Sequence, residues 1–199
     1  MSIRRTAYLL TTDMKSERTL FSEEVLQRVG FDVKIIQHIP NEDNVLSNKL
    51  SMLSIYKMIE DGEDEFGYVF ENDINILEEI RLPEIVKYEE ITEMFFYLGL
   101  CAYRPKIFRH KNDLHIDGHR VLLVAGGIRG LHAIGLSKKG AKEIIQFTEK
   151  SDERYMDMIL EQFSMVYPAN VVKLELMSYI LGHHGVFFQD RKRFPSEIS

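Results

Sequence analysis

The chain has a single cysteine among 199 residues, Cys101, so no internal disulfide can form. Cys101 lies in an apolar stretch and reads as a small buried hydrophobe rather than a nucleophile. No apolar run approaches the roughly 20 residues that a membrane helix needs. The short apolar stretch Ala7–Leu10 falls below the about 7–15 residues of a signal-peptide core. These absences predict a cytosolic protein with no membrane segment. Repeats, low-complexity tracts and linkers are also missing, which predicts one domain over 1–199. Clustered Lys and Arg are scarce: 25 basic residues face 31 acidic ones, for a net charge of −6. That balance argues against nucleic acid as a partner, because phosphate backbones need a basic surface. The short run Arg191-Lys192-Arg193 reads as a solvated tail. No zinc-type spacing of His with Cys is present.

What remains is an ordinary globular composition, 45% hydrophobic and 28% charged, outside the disordered class. Residues 5–11 read as a buried strand. Ser16 caps a predicted helix to about Val29, with Leu20, Phe21, Val25 and Leu26 on one face, and Gly30 ends it. Phe31–Gln37 is a second strand, so the chain opens with a βαβ unit and a parallel sheet. A second helix is predicted over Asn44–Asp61, with Leu46, Leu50, Leu53 and Met58 marking its apolar side and Ile55 and Ile59 alongside. Phe66–Phe70 is a third strand, and another helix is predicted over Leu77–Tyr88. The second half is richer in strands: Met94–Leu100, Lys106–His110, Asp113–Asp117, His119–Val124 and Leu131–Leu136. Asp117-Gly118 is a hairpin signal, because a type I′ turn needs positive φ at both central residues. Ser137 caps a predicted helix through about Phe147, and Asp152 one through Phe163.

The chemistry centres on Glu71-Asn72-Asp73. Two carboxylates two residues apart follow an apolar strand, and ligands bind at the carboxyl ends of strands in open α/β sheets. In extended geometry residues 71 and 73 share a side. A hard divalent cation takes one or two protein carboxylates when diphosphate oxygens complete its shell. An acidic chain that binds a diphosphate needs positive charge, and such a cation supplies it. Capping of a helix by Asp73 is the competing explanation. Thr11, Thr12 and Asp13 end the first strand, where a nucleotide would meet them, and Arg18 follows within reach of a diphosphate. Lys49 and Ser51 lie on the helix before the acidic motif, as donor-facing or surface positions. The glycine-rich stretch Gly126-Gly127-Ile128-Arg129-Gly130 lacks the order of a P-loop or a dinucleotide site. It is expected either to cover the donor, with Gly127 close to it, or to be a plain turn.

From Ser51 to Ile76 the order is helix, acidic loop, apolar strand and acid-x-acid. In this the chain resembles glycosyltransferases of the GT-A class, and within it family 25, the lipopolysaccharide and procollagen type. That family carries Glu-Asp-Asp after a strand; here Asn72 stands in the middle. The segment from Gly130 to Ala141 resembles the family's Gly-x-x-Ala-Tyr followed by Ser/Thr-x-x-Gly-Ala, with Ile134 in the place of the aromatic residue. Arg154-Tyr155-Met156-Asp157 resembles its Pro-Val-Asp segment without the proline. The chain is also similar in size to compact glycosyltransferases of large algal DNA viruses, which would place it in a host cytoplasm.

The resemblance implies a GT-A-like α/β fold, a mixed sheet flanked by helices in one domain. Residues 1–100 would form the donor part and 101–199 the acceptor and catalytic part. It implies Mn2+ or Mg2+ at Glu71 and Asp73, with His183 or His184 as an additional ligand. It implies Asp157 as the general base that takes a proton from the acceptor hydroxyl, with Asp152 as its rival. The partners would be a nucleoside-diphosphate sugar, UDP favoured over GDP, and a glycan or glycoprotein acceptor. Two other functions compete. A sugar-phosphate nucleotidyltransferase should carry an N-terminal glycine-rich loop, and Leu9–Arg18 has no glycine. A non-catalytic binding domain would follow if Asn72 and Ile134 mark a degenerate site.

Overall fold

The computed structural model describes residues 3–77, 79–102, 106–110, 112–173 and 183–195. The chain begins β1 (Thr6–Thr11), α1 (Glu17–Val29), β2 (Asp32–Gln37), α2 (Asn44–Asp61) and β3 (Phe66–Glu71). β1 pairs in parallel with β2 on one side and β3 on the other, as the opening βαβ pattern predicts. Ser16 accepts a hydrogen bond from Thr19 N and caps α1, while Gly30, at φ 114°, closes it. Asp43 caps α2 through bonds from Val45 N and Leu46 N.

The later elements are β4 (Ile74–Ile76), α3 (Leu82–Val86), β5 (Phe95–Ala102), β6 (Lys106–Arg109), β7 (His115–Ile116), β8 (His119–Arg120) and β9 (Leu122–Ala125). They are followed by β10 (Ile128–Ser137), α4 (Lys138–Glu149), α5 (Met156–Val166), β11 (Ala169–Val171), β12 (His183–Gly185) and β13 (Phe187–Gln189). The main sheet runs β2-β1-β3-β10-β5-β11-β9-β6, and β12 also pairs with β5. β10 is antiparallel to both its neighbours, which makes the sheet mixed. β7 and β8 form a hairpin, with Asp117 at φ 49° and Gly118 at φ 82°, as the Asp-Gly pair demands.

Helices cover both faces. Strand residues alternate between them: Tyr8, Leu10, Val69, Phe95 and Tyr97 pack with α2, α4 and α5. Ala7, Leu9, Tyr68, Phe70, Phe96 and Leu98 pack with α1 and α3. This period-two division is why the strands read as continuous apolar runs.

Four sequence expectations differ from the structure. Leu46, Leu50 and Met58 face outward on α2, at 41%, 37% and 41% exposure. The inward face carries Ile55 and Ile59, as expected, together with Ser47, Ser51, Met52 and Tyr56. The two serines let the helix approach the chain after β2: Ser47 donates to Ile39 O, and Ser51 accepts from Ile39 N. Leu20 on α1 is likewise exposed, because Thr19 and Ser22 take the inner positions. The helix expected over Leu77–Tyr88 is only α3 with a 3-10 turn at Glu89–Ile91. Ile74–Ile76 are held extended by pairing with β13, and Pro83 stands at the start of α3. α5 begins at Met156 after Tyr155, so Asp152 does not cap it.

Gly99 is the tightest crossing near the carboxyl end of β5. A Cβ there would lie 2.2 Å from Phe187 O and 2.8 Å from His132 Nε2. Gly99→Ala is therefore expected to destabilise the protein by about 1–3 kcal/mol. A urea titration should show a lower midpoint with an unchanged slope.

Candidate active site at the carboxyl ends of the central strands

β1 and β3 end side by side, Leu10 opposite Glu71. The chain after β1 turns on a knot of polar groups. The hydroxyls of Thr11 and Thr19 lie 2.6 Å apart, and the Asp13 carbonyl accepts from Thr19 Oγ1 at 2.8 Å. Asn72 donates its amide to Thr11 Oγ1 at 2.9 Å, which ties the end of β3 to the end of β1. A carboxylate could not make that donation. Asn72 thus has a structural task at the place where family 25 carries an acid. Thr12 and Asp13 are exposed on the same turn, and the Asp13 carboxylate accepts from Lys15 N.

Asp73 is 6% exposed, and its Oδ1 has no hydrogen-bond partner among the described residues. Its Oδ2 lies 3.8 Å from a guanidinium nitrogen of Arg18, itself buried on α1. Glu71 accepts from Gln189 Nε2 at 2.8 Å, and Arg191 donates to Gln189 Oε1 at 3.1 Å. The two acids resist ionisation together. Burial is the main cause and pushes the Glu71 carboxyl up to about 8, although the residue as a whole is only half-buried. The charge of Asp73 raises it further, that of Asp157 adds to this, and Arg191 and Gln189 oppose. Asp73 is raised as well, chiefly by burial, with Arg18 and Arg191 opposing. Burial also pushes the Cys101 thiol up to about 11, so Cys101 is no thiolate nucleophile at neutral pH.

Asp157 stands in the first turn of α5, half-buried, close enough for its charge to act on Glu71. Asp152 is exposed in the loop before that helix. The register sets His183 opposite Cys101 and His184 opposite Leu100, on the strand beside β5; their side chains lie outside the described residues. Lys49 and Ser51 are tied elsewhere. Lys49 donates to Glu153 O at 2.7 Å, and Ser51 bonds Ile39 N and Ser47 O. Gly127 lies in the tight β9–β10 turn at φ 64°, where Glu161 Oε1 accepts its N–H at 2.7 Å. The residues brought together are therefore Glu71, Asn72, Asp73, Arg18, Thr11 and Asp157.

Sequence reasoning missed Gln189 and Arg191, which lie more than a hundred residues from the acids they serve, and His132. His132 is wholly buried, its ring beside Gly99 and Gly130. The two glycines leave the room it needs, and that pairing was the available signal.

The donor set suits a hard divalent cation. The candidate ligands at the end of β3, Glu71 and Asp73, offer carboxylate oxygens, and Asp73 Oδ1 is buried with no hydrogen-bond partner among the described residues. No group of three metal-binding side chains forms among the described residues, so two carboxylates would leave room for phosphate and water oxygens. No helix among the described residues is long and apolar enough to cross a membrane.

No protein-family model matches the chain, and no curated protein matches it in sequence. Solved structures do. The CTP:phosphocholine cytidylyltransferase LicC from Streptococcus pneumoniae matches with a TM-score of 0.53 at 11% identity, over 94% of this chain and 93% of that one. The fold is GT-A-like. The apo-form glycosyltransferase GlyE from Streptococcus pneumoniae TIGR4 is similar at a TM-score of 0.44 and 9% identity, over 83% of this chain. This chain spans 43% of the length of GlyE. A 4-diphosphocytidyl-2C-methyl-D-erythritol synthase from Anaerococcus prevotii DSM 20548 is similar at 0.38 and 9%, over 81% of this chain and 83% of that one. At these identities the likeness to LicC concerns fold, and the two weaker ones add no argument.

Two outcomes follow for the metal-free protein. Glu71 has a folded pKa above its unfolded value, so its stabilising contribution is complete below about 4.5 and is lost as pH rises through about 8. In EDTA, wild type should lose roughly 2–3 kcal/mol more than Glu71→Gln between pH 6 and pH 8. Urea midpoints at the two pH values measure this. Asn72→Asp removes a donor and adds a third carboxylate, and should cost about 1–3 kcal/mol at pH 7. Much of that cost should vanish at pH 4, which a parallel thermal scan would show.

Proposed function

We propose that the chain is a nucleotide-dependent transferase, and specifically a metal-dependent glycosyltransferase. It would move a sugar from a nucleoside-diphosphate donor, UDP favoured over GDP, to a hydroxyl of a glycan or glycoprotein. The observation that carries this reading is the acid pair at the carboxyl end of β3, Asp73 buried and Glu71 half-buried, with the charge of Asp157 acting on Glu71. The family 25 likeness supports it through sequence motifs alone.

Glu71 and Asp73 would hold Mn2+ or Mg2+, with His183 or His184 as a further candidate ligand. Such an ion supplies positive charge to the departing nucleoside diphosphate. Thr12 and Asp13 stand exposed where the nucleotide would lie. Asp157 would accept the proton of the acceptor hydroxyl as its oxygen bonds to the anomeric carbon. The bond from that carbon to the diphosphate oxygen breaks in the same displacement, which inverts the centre.

A second reading has one observation behind it. LicC covers this chain almost end to end, and its name makes it a cytidylyltransferase. Nucleotidyl transfer from CTP would need the β1–α1 turn to bind a triphosphate. That turn has no glycine, and the Thr11, Ser16 and Thr19 hydroxyls all bond within it.

Calorimetric titration with UDP, GDP and CTP, with and without manganese, tests both readings. The expected result is manganese-dependent binding of UDP that falls at least tenfold in Asp73→Ala. Tighter binding of CTP than of UDP would favour nucleotidyl transfer. No nucleotide binding under any metal condition would sink both and leave the non-catalytic domain.

A further inference from the structure

Charges on several elements act on the acid pair. β3 and the residue pair after it contribute Glu71 and Asp73, and α5 contributes Asp157. α1 contributes Arg18, and the segment after β13 contributes Arg191. Three carboxylates thus meet two guanidiniums in a site where hydration is poor.

The segment Gln189–Pro195 is laid across this cluster by specific bonds. Gln189 Nε2 holds Glu71 Oε2. Asp190 N donates to Asp73 O at 2.7 Å. Arg18 donates to Phe194 O and Pro195 O at 3.2 and 3.1 Å. Arg193 lies 4.1 Å above the Phe21 ring on α1 and pairs with Glu17. Both acids of the motif are therefore gripped by one strap.

The two arginines are anchored differently. Arg18 is 7% exposed and fastened to two carbonyls of the strap. Arg191 is exposed, and among the described residues its side chain hydrogen-bonds to Gln189 alone. Turning Arg191 outward gives up that bond and its attraction to the acids; turning Arg18 dismantles the strap.

We propose that Arg191 and Arg18 are the internal counter-ions of the acid pair, and that Arg191 swings onto the diphosphate when a divalent cation takes its place. The proposal rests on the diphosphate reading above and adds a rule of binding order to it. A cation arriving alone competes with two guanidiniums for the same carboxylates. A diphosphate arriving alone meets the carboxylates' negative charge. Arriving together, the cation satisfies the acids and Arg191 satisfies the phosphate oxygens. Each ligand must then tighten the other by the same factor.

Manganese binding, read as free ion by electron paramagnetic resonance, tests this with inorganic pyrophosphate as the second ligand. Wild type should bind manganese weakly alone and about tenfold or more tightly with pyrophosphate. Arg191→Ala should bind manganese alone several-fold more tightly than wild type, and pyrophosphate should then improve it by about twofold or less. Arg191→Lys keeps the charge and should retain the weak binding of manganese alone. Equal urea midpoints for the three proteins establish that the strap still folds. Wild-type coupling in Arg191→Ala would overturn the proposal and leave the site reading standing. Absence of manganese binding to wild type, with or without pyrophosphate or UDP, would overturn the site reading and this proposal with it.

Discussion

Two carboxylates sharing a poorly hydrated strand end impose the main constraint on this molecule. Like charges so placed are costly, and the cost is met by protonation, by nearby cations, or by both. The neighbouring elements can be understood as answers to it. α1 brings Arg18 to Asp73, and β13 brings Gln189 to Glu71. Asn72 keeps a third charge out of the gap while stitching β3 to β1. A core designed only for stability would have apolar residues here. The retained acids are the ground for the cation and diphosphate proposed above.

The central architecture was legible in local signals. Ser16, Gly30 and Ser137 punctuate helices where capping rules place them, and Asp117-Gly118 turns a hairpin with both residues at positive φ. The strand ending at Glu71 followed from its apolar run. The helix faces were harder. On α2 the leucines looked like the natural core residues, but the tie between Ser47, Ser51 and Ile39 rotates the helix so that they face outward. Side-chain bonds to a distant backbone group have no periodicity to read. The strand at residues 74–76 was not foreseen for a similar reason, since its extended state depends on a partner strand more than a hundred residues away.

The site divides along the same line. Glu71 and Asp73 could be picked out because their spacing and strand-end position carry a chemical meaning. Gln189 and Arg191 could not, because nothing in an Arg-Lys-Arg run indicates which arginine reaches Gln189. His132 is a middle case. It lay inside the segment quoted from Gly130 to Ala141, and Gly130 together with the distant Gly99 gives the ring its room. Where the structure ties a candidate to its own backbone, as with Ser51, a hydroxyl near a motif proved to be a fastening.

The bond between Gln189 and Glu71 spans 118 residues. During synthesis at about 5–20 residues per second, that separation is a delay of roughly 6–24 seconds. The β1–β2–β3 unit can pair within that time, so the acids exist first as ordinary surface groups on a half-built sheet. Only when the last strands emerge does the pocket close over them. A nascent chain halted before Phe187 would therefore display the motif without its enclosure. The enclosure of the acids is therefore completed only once β13 has paired.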